Sequence, residues 1–148
     1  MKIGIVIINW NGLNLLKKYL NEIILNSDNS TVYIIDNNSS DESILYVREN
    51  YKEVKIISLD KNYGFAEGYN KGLKEVEENY VCIINNDILV TKDWLDPIRK
   101  KFKKDPESII QPTILDINNT EYFEYAGASG GFIDKYGYPF CRGRIFDT

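Results

Sequence analysis

The chain opens on a continuous apolar run, Ile3 to Ile8, which ends abruptly at Asn9. Runs without polar interruption suit strands buried on both faces, as in parallel sheets. Leu13, Leu16, Leu20 and Ile23 follow at three- and four-residue steps, which predicts a helix. A second apolar run, Val32 to Ile35, stops at Asp36. Ser39-Ser40-Asp41-Glu42 matches a capping box, so a helix is expected from there to about Asn50. Val54 to Leu59 reads as a third strand. Helical spacing returns from Phe65 to about Glu78, with Ala66, Tyr69, Leu73 and Val76 on one side. Gly64, Gly68 and Gly72 recur every four residues and share a helix face that can approach a sheet or ligand closely. Tyr80 to Ile84 is a fourth strand, with a short further one expected over Ile88 to Val90. Thr91 is placed to cap a helix carrying Trp94, Leu95, Ile98 and Phe102 inward, and Ser108 to Gln111 reads as another strand.

Strand and helix therefore alternate to about residue 112. This order predicts an α/β fold, a mostly parallel sheet with helices on both faces. The segment 113–148 is rich in glycine and aromatic residues and reads as hairpins and loops, with Tyr122, Phe123 and Tyr125 in a strand or hairpin. The length of 148 residues suits a single domain made of a core over 1–112 and the irregular segment 113–148.

Composition removes several chemistries. There is no histidine, so Ser-His-Asp and Cys-His catalysis are absent and most zinc sites are excluded. A metal would need oxygen ligands, which favours magnesium or manganese. The two cysteines show no metal spacing; Cys82 lies in an apolar run and reads as a small core residue. Net charge is −4 with both signs interspersed. The one basic cluster, Arg99-Lys100-Lys101 with Lys103-Lys104, reads as a solvated helix face rather than a nucleic-acid or membrane contact. Arg142 and Arg144 read as a solvated terminus, and Trp94 as a core anchor.

In open α/β sheets ligands bind beyond the carboxyl ends of the strands. The four exits here are Asn9-Trp10-Asn11, Asp36-Asn37-Asn38, Asp60 to Phe65, and Asn85-Asn86-Asp87. Any one could be an ordinary turn, since Asp and Asn are common there. Four of one character on one rim point to a polar ligand. Neither G-x-G-x-x-G nor a P-loop occurs, so a phosphate group would lack a glycine cradle. A divalent cation held at Asp87 would serve instead, bridging to a diphosphate and neutralising it as it leaves.

The stretches VIINWNG, IIDNNSSDES, KNYGFAEGYNKGL and CIINNDILVTKDWL resemble family 2 glycosyltransferases, in the same order and at similar spacing. The resemblance is nearest to the rhamnosyltransferase-like branch, where N-W-N-G, D-N-x-S-x-D, N-x-G-F-A-x-G-x-N and N-N-D recur. It covers residues 3 to about 112, and GGFIDKYGYPFCRGR extends it less specifically. It implies a GT-A (Rossmann-like) fold and inverting transfer of a sugar from a nucleoside-diphosphate donor of the dTDP or UDP type, rhamnose among the candidates. The acceptor would be a hydroxyl of a glycan or lipid-linked acceptor in cell-surface polysaccharide synthesis. The implied location is the cytoplasm, including the inner face of the membrane. Asn9, Trp10 and Asn11 would line the base and ribose pocket. Asp36, followed by Asn37, would accept the imide N–H of uracil or thymine. Asn62, Gly64, Phe65 and Asn70 would form the wall beside nucleotide and sugar. Asn85-Asn86-Asp87 would take the place of D-x-D, with Asp87 nearest the metal. Asn85 departs from the pattern, keeping an oxygen ligand and losing a charge. The downstream catalytic carboxylate of the family matches none of Asp116, Glu121, Glu124, Asp134 and Asp147. It is expected beyond Thr148, in a chain truncated at its C-terminus. The competing readings are a non-catalytic nucleotide-binding module and a sugar-phosphate nucleotidyltransferase, the latter lacking its glycine-rich loop.

Overall fold

The computed structural model describes residues 1–123 and 128–143, the side chains of 128–131 and 139–143 excepted. Tyr125, Glu124, Arg144, Asp147 and the side chain of Arg142 therefore lie outside the described residues. The chain divides into two compact units, Met1–Arg99 and Lys100–Thr148.

The first unit is built on four parallel strands: β1 (Ile3–Asn9), β2 (Ser30–Asp36), β3 (Lys55–Ser58) and β4 (Val81–Ile84), in the order β3-β2-β1-β4. Helices α1 (Leu13–Leu25), α2 (Ser43–Asn50) and α3 (Gly64–Gly72) connect them. Crossovers between parallel strands are right-handed. The steps β1 to β2 and β2 to β3 run in one direction, so α1 and α2 share a face and touch each other. The step from β3 back across to β4 puts α3 on the opposite face. There Tyr69 packs with Val6, Tyr33 and Ile35. The expected parallel α/β sheet with helices on both faces is thus the observed one.

The apolar runs predict burial well at the centre and poorly at one edge. β1 and β2 are buried almost throughout. On β4, Val81 and Ile83 are exposed while Cys82 and Ile84 are half-buried. Burial still pushes the Cys82 thiol up to about 11, in keeping with a small apolar residue.

The recurring glycines separate into two roles. A Cβ on Gly68 would lie 2.4 Å from Ile8 Cδ1, and one on Gly72 2.3 Å from Ile35 Cδ1, so both let α3 press onto the sheet. Gly64 has open space around it and is required for another reason, its φ of +72° at the start of α3.

Several local expectations are corrected. The helix after β2 begins at Ser43, and Ser39 does not cap it; its hydroxyl is taken by Asn9 and the Asn11 N–H. Asp41 supplies the caps instead, accepting the Ser43 N–H and, across the loop, the Leu13 N–H that opens α1. α3 ends at Gly72 and tightens into a 3₁₀ turn over Leu73–Glu75, because Val76 must already be extended on the way to β4. Ala66 lies in the first turn and is exposed. Ile88 to Val90 forms no strand. Thr91 caps nothing, since the chain first turns at Asp93 (φ +59°) and α4 (Leu95–Lys104) starts beyond it. Leu95 and Ile98 are its buried residues. Trp94 anchors as expected, its Nε1–H donating to Ser27 Oγ at 3.1 Å. Arg99 leaves the solvated basic face: its guanidinium donates to the carbonyls of Asp28 and Asn29.

In the second unit Ser108 to Gln111 forms no strand; the Ser108 N–H and hydroxyl both bond the Asp105 carbonyl in a turn, and Ile109 is fully exposed. Leu115 and Phe123 pair across a turn held by Asp116, whose carboxylate accepts the Asn118 and Asn119 N–H groups. β5 (Ala128–Ile133) and β6 (Pro139–Gly143) form an antiparallel hairpin, as the aromatic and glycine-rich segment predicts.

Candidate functional site

The strand order reverses between β1 and β4, and the crevice at such a reversal is where open α/β sheets bind ligands. Register brings the polar exits onto one row. Asn9 sits opposite Asp36, and Asp36 opposite Ser58. On the other side the ladder reaches Ile7 and Ile84, so Asn9 falls level with Asn86 two residues on.

Asparagines join these exits. Asn9 is 0% exposed, and its Nδ2 donates to Ser39 Oγ (3.1 Å) and Ser43 Oγ (2.9 Å). Its Oδ1 accepts from Asn86 Nδ2 at 3.3 Å. Asn11, at φ +51°, accepts the Ser40 and Asp41 N–H groups on its Oδ1. Asn37 is buried; its Nδ2 donates to Asn62 Oδ1 and the Gly64 carbonyl, each at 2.9 Å, and its Oδ1 accepts the Tyr63 N–H. Asn62 Oδ1 also takes the Gly64 N–H at 2.7 Å. Gly12 has no room for a side chain, because a Cβ would lie 2.3 Å from Asn9 Oδ1 and 2.6 Å from Asn86 Nδ2.

Of the other expected site residues, Asp36 touches this network through Ser39 and the rest are exposed. Asp36 is 9% exposed; its Oδ1 accepts the Ser39 N–H, and its Oδ2 meets no protein donor among the described residues. Trp10 is 58% and Phe65 61% exposed, while Asn70, Asn85 and Asp87 are exposed too. Phe65 touches Tyr69 edge-on, with ring centroids 5.0 Å apart. The rim thus offers a nearly buried carboxylate at the β2 exit, two open aromatic faces and a free carboxylate at the β4 exit.

Three other groups shape the rim. Burial alone would raise the Asp41 carboxyl, but hydrogen bonds from Ser43 and the Leu13 N–H outweigh it and hold the group below its usual range. At the β3 exit the Tyr63 hydroxyl donates to Asp60 at 2.8 Å, which lowers the carboxyl and raises the phenol. Lys61 and Lys71 both lie over the Tyr63 ring. Sequence reasoning missed Asp41, Ser43 and Tyr69. Asp41 falls inside a local capping pattern, no local signal singles out Ser43, and Tyr69 reads as one apolar position among others, because their partners are distant in sequence.

A metal fits here only as a shared ligand. Among the described residues no three His, Cys, Asp or Glu side chains cluster to hold an ion. Asp87 and the oxygen of Asn85 could supply part of a magnesium or manganese shell, with phosphate oxygens and water completing it, as such ions commonly require.

Comparison with known proteins bears on the family and the fold. Glycosyl transferase family 2 matches residues 4–142. The chain belongs to that family. Among curated relatives, polypeptide N-acetylgalactosaminyltransferase 4 of Caenorhabditis elegans is 24% identical over 105 residues, which covers 68% of this chain and 18% of that protein. The chain therefore spans about a fifth of the length of the curated relatives it matches. The crystal structure of S. aureus TarS 1–349 in complex with UDP-GlcNAc superposes with a TM-score of 0.71 at 18% identity, covering 80% of this chain and 36% of TarS. The mannosyltransferase PcManGT of Pyrobaculum calidifontis, in complex with GDP-Man and Mn2+, gives a TM-score of 0.62 at 21% identity over 76% of this chain and 33% of that one. The family 2 chain therefore has the GT-A fold. The nucleotidyltransferase reading is set aside by the family match.

Proposed function

We propose that this chain is the nucleotide-sugar-binding part of a glycosyltransferase that moves a sugar from a nucleoside diphosphate to an acceptor hydroxyl with inversion. The observation that carries this is the rim itself. A nearly buried carboxylate at the β2 exit and a free one at the β4 exit stand on the two strand ends that flank β1. Asp36 Oδ2 suits the imide N–H of uracil or thymine, since desolvation strengthens such a bond and penalises a base without that donor. The open Trp10 ring offers a stacking face to the base. Asp87, with Asn85, would hold a divalent ion against the diphosphate, and that ion when bound would stabilise the charge on the departing phosphate. Asn9 and Asn37 hold the exits in place rather than meet the ligand. The acceptor oxygen attacks the anomeric carbon as the bond to the diphosphate oxygen breaks, and the acceptor proton passes to a base. None of the rim carboxylates is assigned as that base.

The resemblance of the N-W-N-G and N-N-D motifs favours a dTDP-linked deoxysugar of the rhamnose type. A polysaccharide or lipid-linked acceptor on the cytoplasmic face of the membrane goes with that choice. No helix among the described residues is long and apolar enough to cross a membrane. The test is thermal shift with UDP, dTDP and GDP, each with and without manganese. A ligand at a hundredfold over its Kd stabilises by about 2.7 kcal/mol. No stabilisation by any of the three overturns the donor-site reading. Stabilisation by dTDP-rhamnose without hydrolysis or transfer favours the non-catalytic module.

A further inference from the structure

The β1–β4 ladder runs in step from Gly4 opposite Val81 to Ile7 opposite Ile84. At its start the Gly4 N–H donates to the Tyr80 carbonyl at 2.9 Å. A parallel ladder repeats that bond every two residues, so the Ile8 N–H should reach the Ile84 carbonyl. A side chain stands in that place instead. The Tyr69 hydroxyl accepts the Ile8 N–H at 3.2 Å and donates to the Ile84 carbonyl at 2.9 Å. Two hydrogen bonds in series need more room than one, so the inserted oxygen holds the strands apart at the rim. The next link outward is also between side chains, Asn86 Nδ2 to Asn9 Oδ1. Tyr69 itself is buried and locked in place. Gly68 and Gly72 bring α3 close enough to deliver it, and Phe65 packs against its ring.

We infer that Tyr69 is a positioning residue whose hydroxyl sets the width of the β1–β4 crevice. It thereby places Asn85-Asn86-Asp87 relative to Asp36. The inference rests on the donor-site reading in one respect, that the ligand crossing this crevice is the diphosphate of a nucleotide. A base bound at Asp36 and Trp10 does not depend on the crevice width; a diphosphate reaching Asp87 does.

Tyr69→Phe keeps the ring and removes only the oxygen. In the unliganded protein, amide NMR is expected to show exchange at Ile8 faster by about tenfold. Chemical-shift changes should extend from Ile84 through Asp87, with Leu16 to Ile23 of α1, on the opposite face of the sheet, unmoved. Changes that stop at Ile84, or spread evenly over the sheet, overturn the inference. Titration then compares UDP plus manganese with uridine alone. The variant should lose about tenfold in affinity for UDP and less than about twofold for uridine. Equal losses for both overturn the positioning role, because they report general damage. Asn86→Ala, which cuts the outer link, should reproduce the split, and its effect should not add to that of Tyr69→Phe. If the wild type binds neither uridine nor UDP, the donor-site reading falls, while the NMR result still decides whether Tyr69 sets the spacing.

Discussion

The rim of this sheet is built in two ways. At the ends of β1, β2 and β3 the loops are interlocked by short bonds: buried Asn37 alone ties three points of the β3 exit, and half-buried Asp41 accepts the first N–H of two helices. At the end of β4 the side chains of Asn85-Asn86-Asp87 make one hydrogen bond to the rest among the described residues, the 3.3 Å bond from Asn86 to Asn9. The contrast has a physical meaning. Reading a base by hydrogen bonds requires a fixed acceptor, because a mobile one pays ordering entropy at each binding event. A shared metal shell tolerates a looser carboxylate, since the phosphates and waters complete it.

The comparison can be broken most severely at Asn37. Asn37→Ala removes three bonds and strands the Tyr63 N–H, and urea unfolding should show a loss of about 3 kcal/mol. A loss under about 1 kcal/mol would mean that the interlock adds little. Next comes Gly72→Ala, which forces a Cβ onto Ile35 below the β2 exit and is expected to cost about 2 kcal/mol by overpacking.

A smaller effect is expected from Asp41→Asn, at about 1 kcal/mol near neutrality. Because the folded Asp41 carboxyl lies below its usual value, its contribution is fully present above the unfolded pKa of about 3.9. It is lost as pH falls through the folded value. Stability curves for wild type and variant should therefore run parallel near neutrality and converge only as pH falls below about 4, and a constant gap would contradict the assignment. The smallest change in stability is expected at the loose side. Asp87→Ala should leave unfolding within about 0.5 kcal/mol of wild type. It should nonetheless abolish the manganese-dependent part of any nucleotide-induced thermal shift, which would separate a rim that carries stability from a loop proposed to carry the metal.

Much of this architecture was legible before any coordinates. The apolar runs ending at Asn9, Asp36 and Ile84 mark three of the strands, buried in β1 and β2 and half-exposed in β4, and the leucine spacing of α1 survives unchanged. Weaker signals failed for identifiable reasons. Ser39 satisfies the local capping pattern, yet a loop 28 residues away in sequence takes its hydroxyl. Ile88 to Val90 and Ser108 to Gln111 have strand composition, but a strand needs a partner, and neither segment finds one among the described residues. The polar rim was legible as a set of residues and not as a set of roles. Asn9 and Asn37 carry the same chemistry as Asn85, and burial alone separates those that brace the rim from those left open at it.

The sequence by itself determined the alternation of strand and helix, the polar character of the strand exits and the family they resemble. These follow from periodicity and residue chemistry, which are local. Tertiary structure alone decided which exits lie side by side, which asparagines are spent on one another, and that the Tyr69 hydroxyl stands in the ladder between β1 and β4. Those outcomes depend on bonds between residues up to 77 positions apart, and only the closed sheet brings such partners within reach.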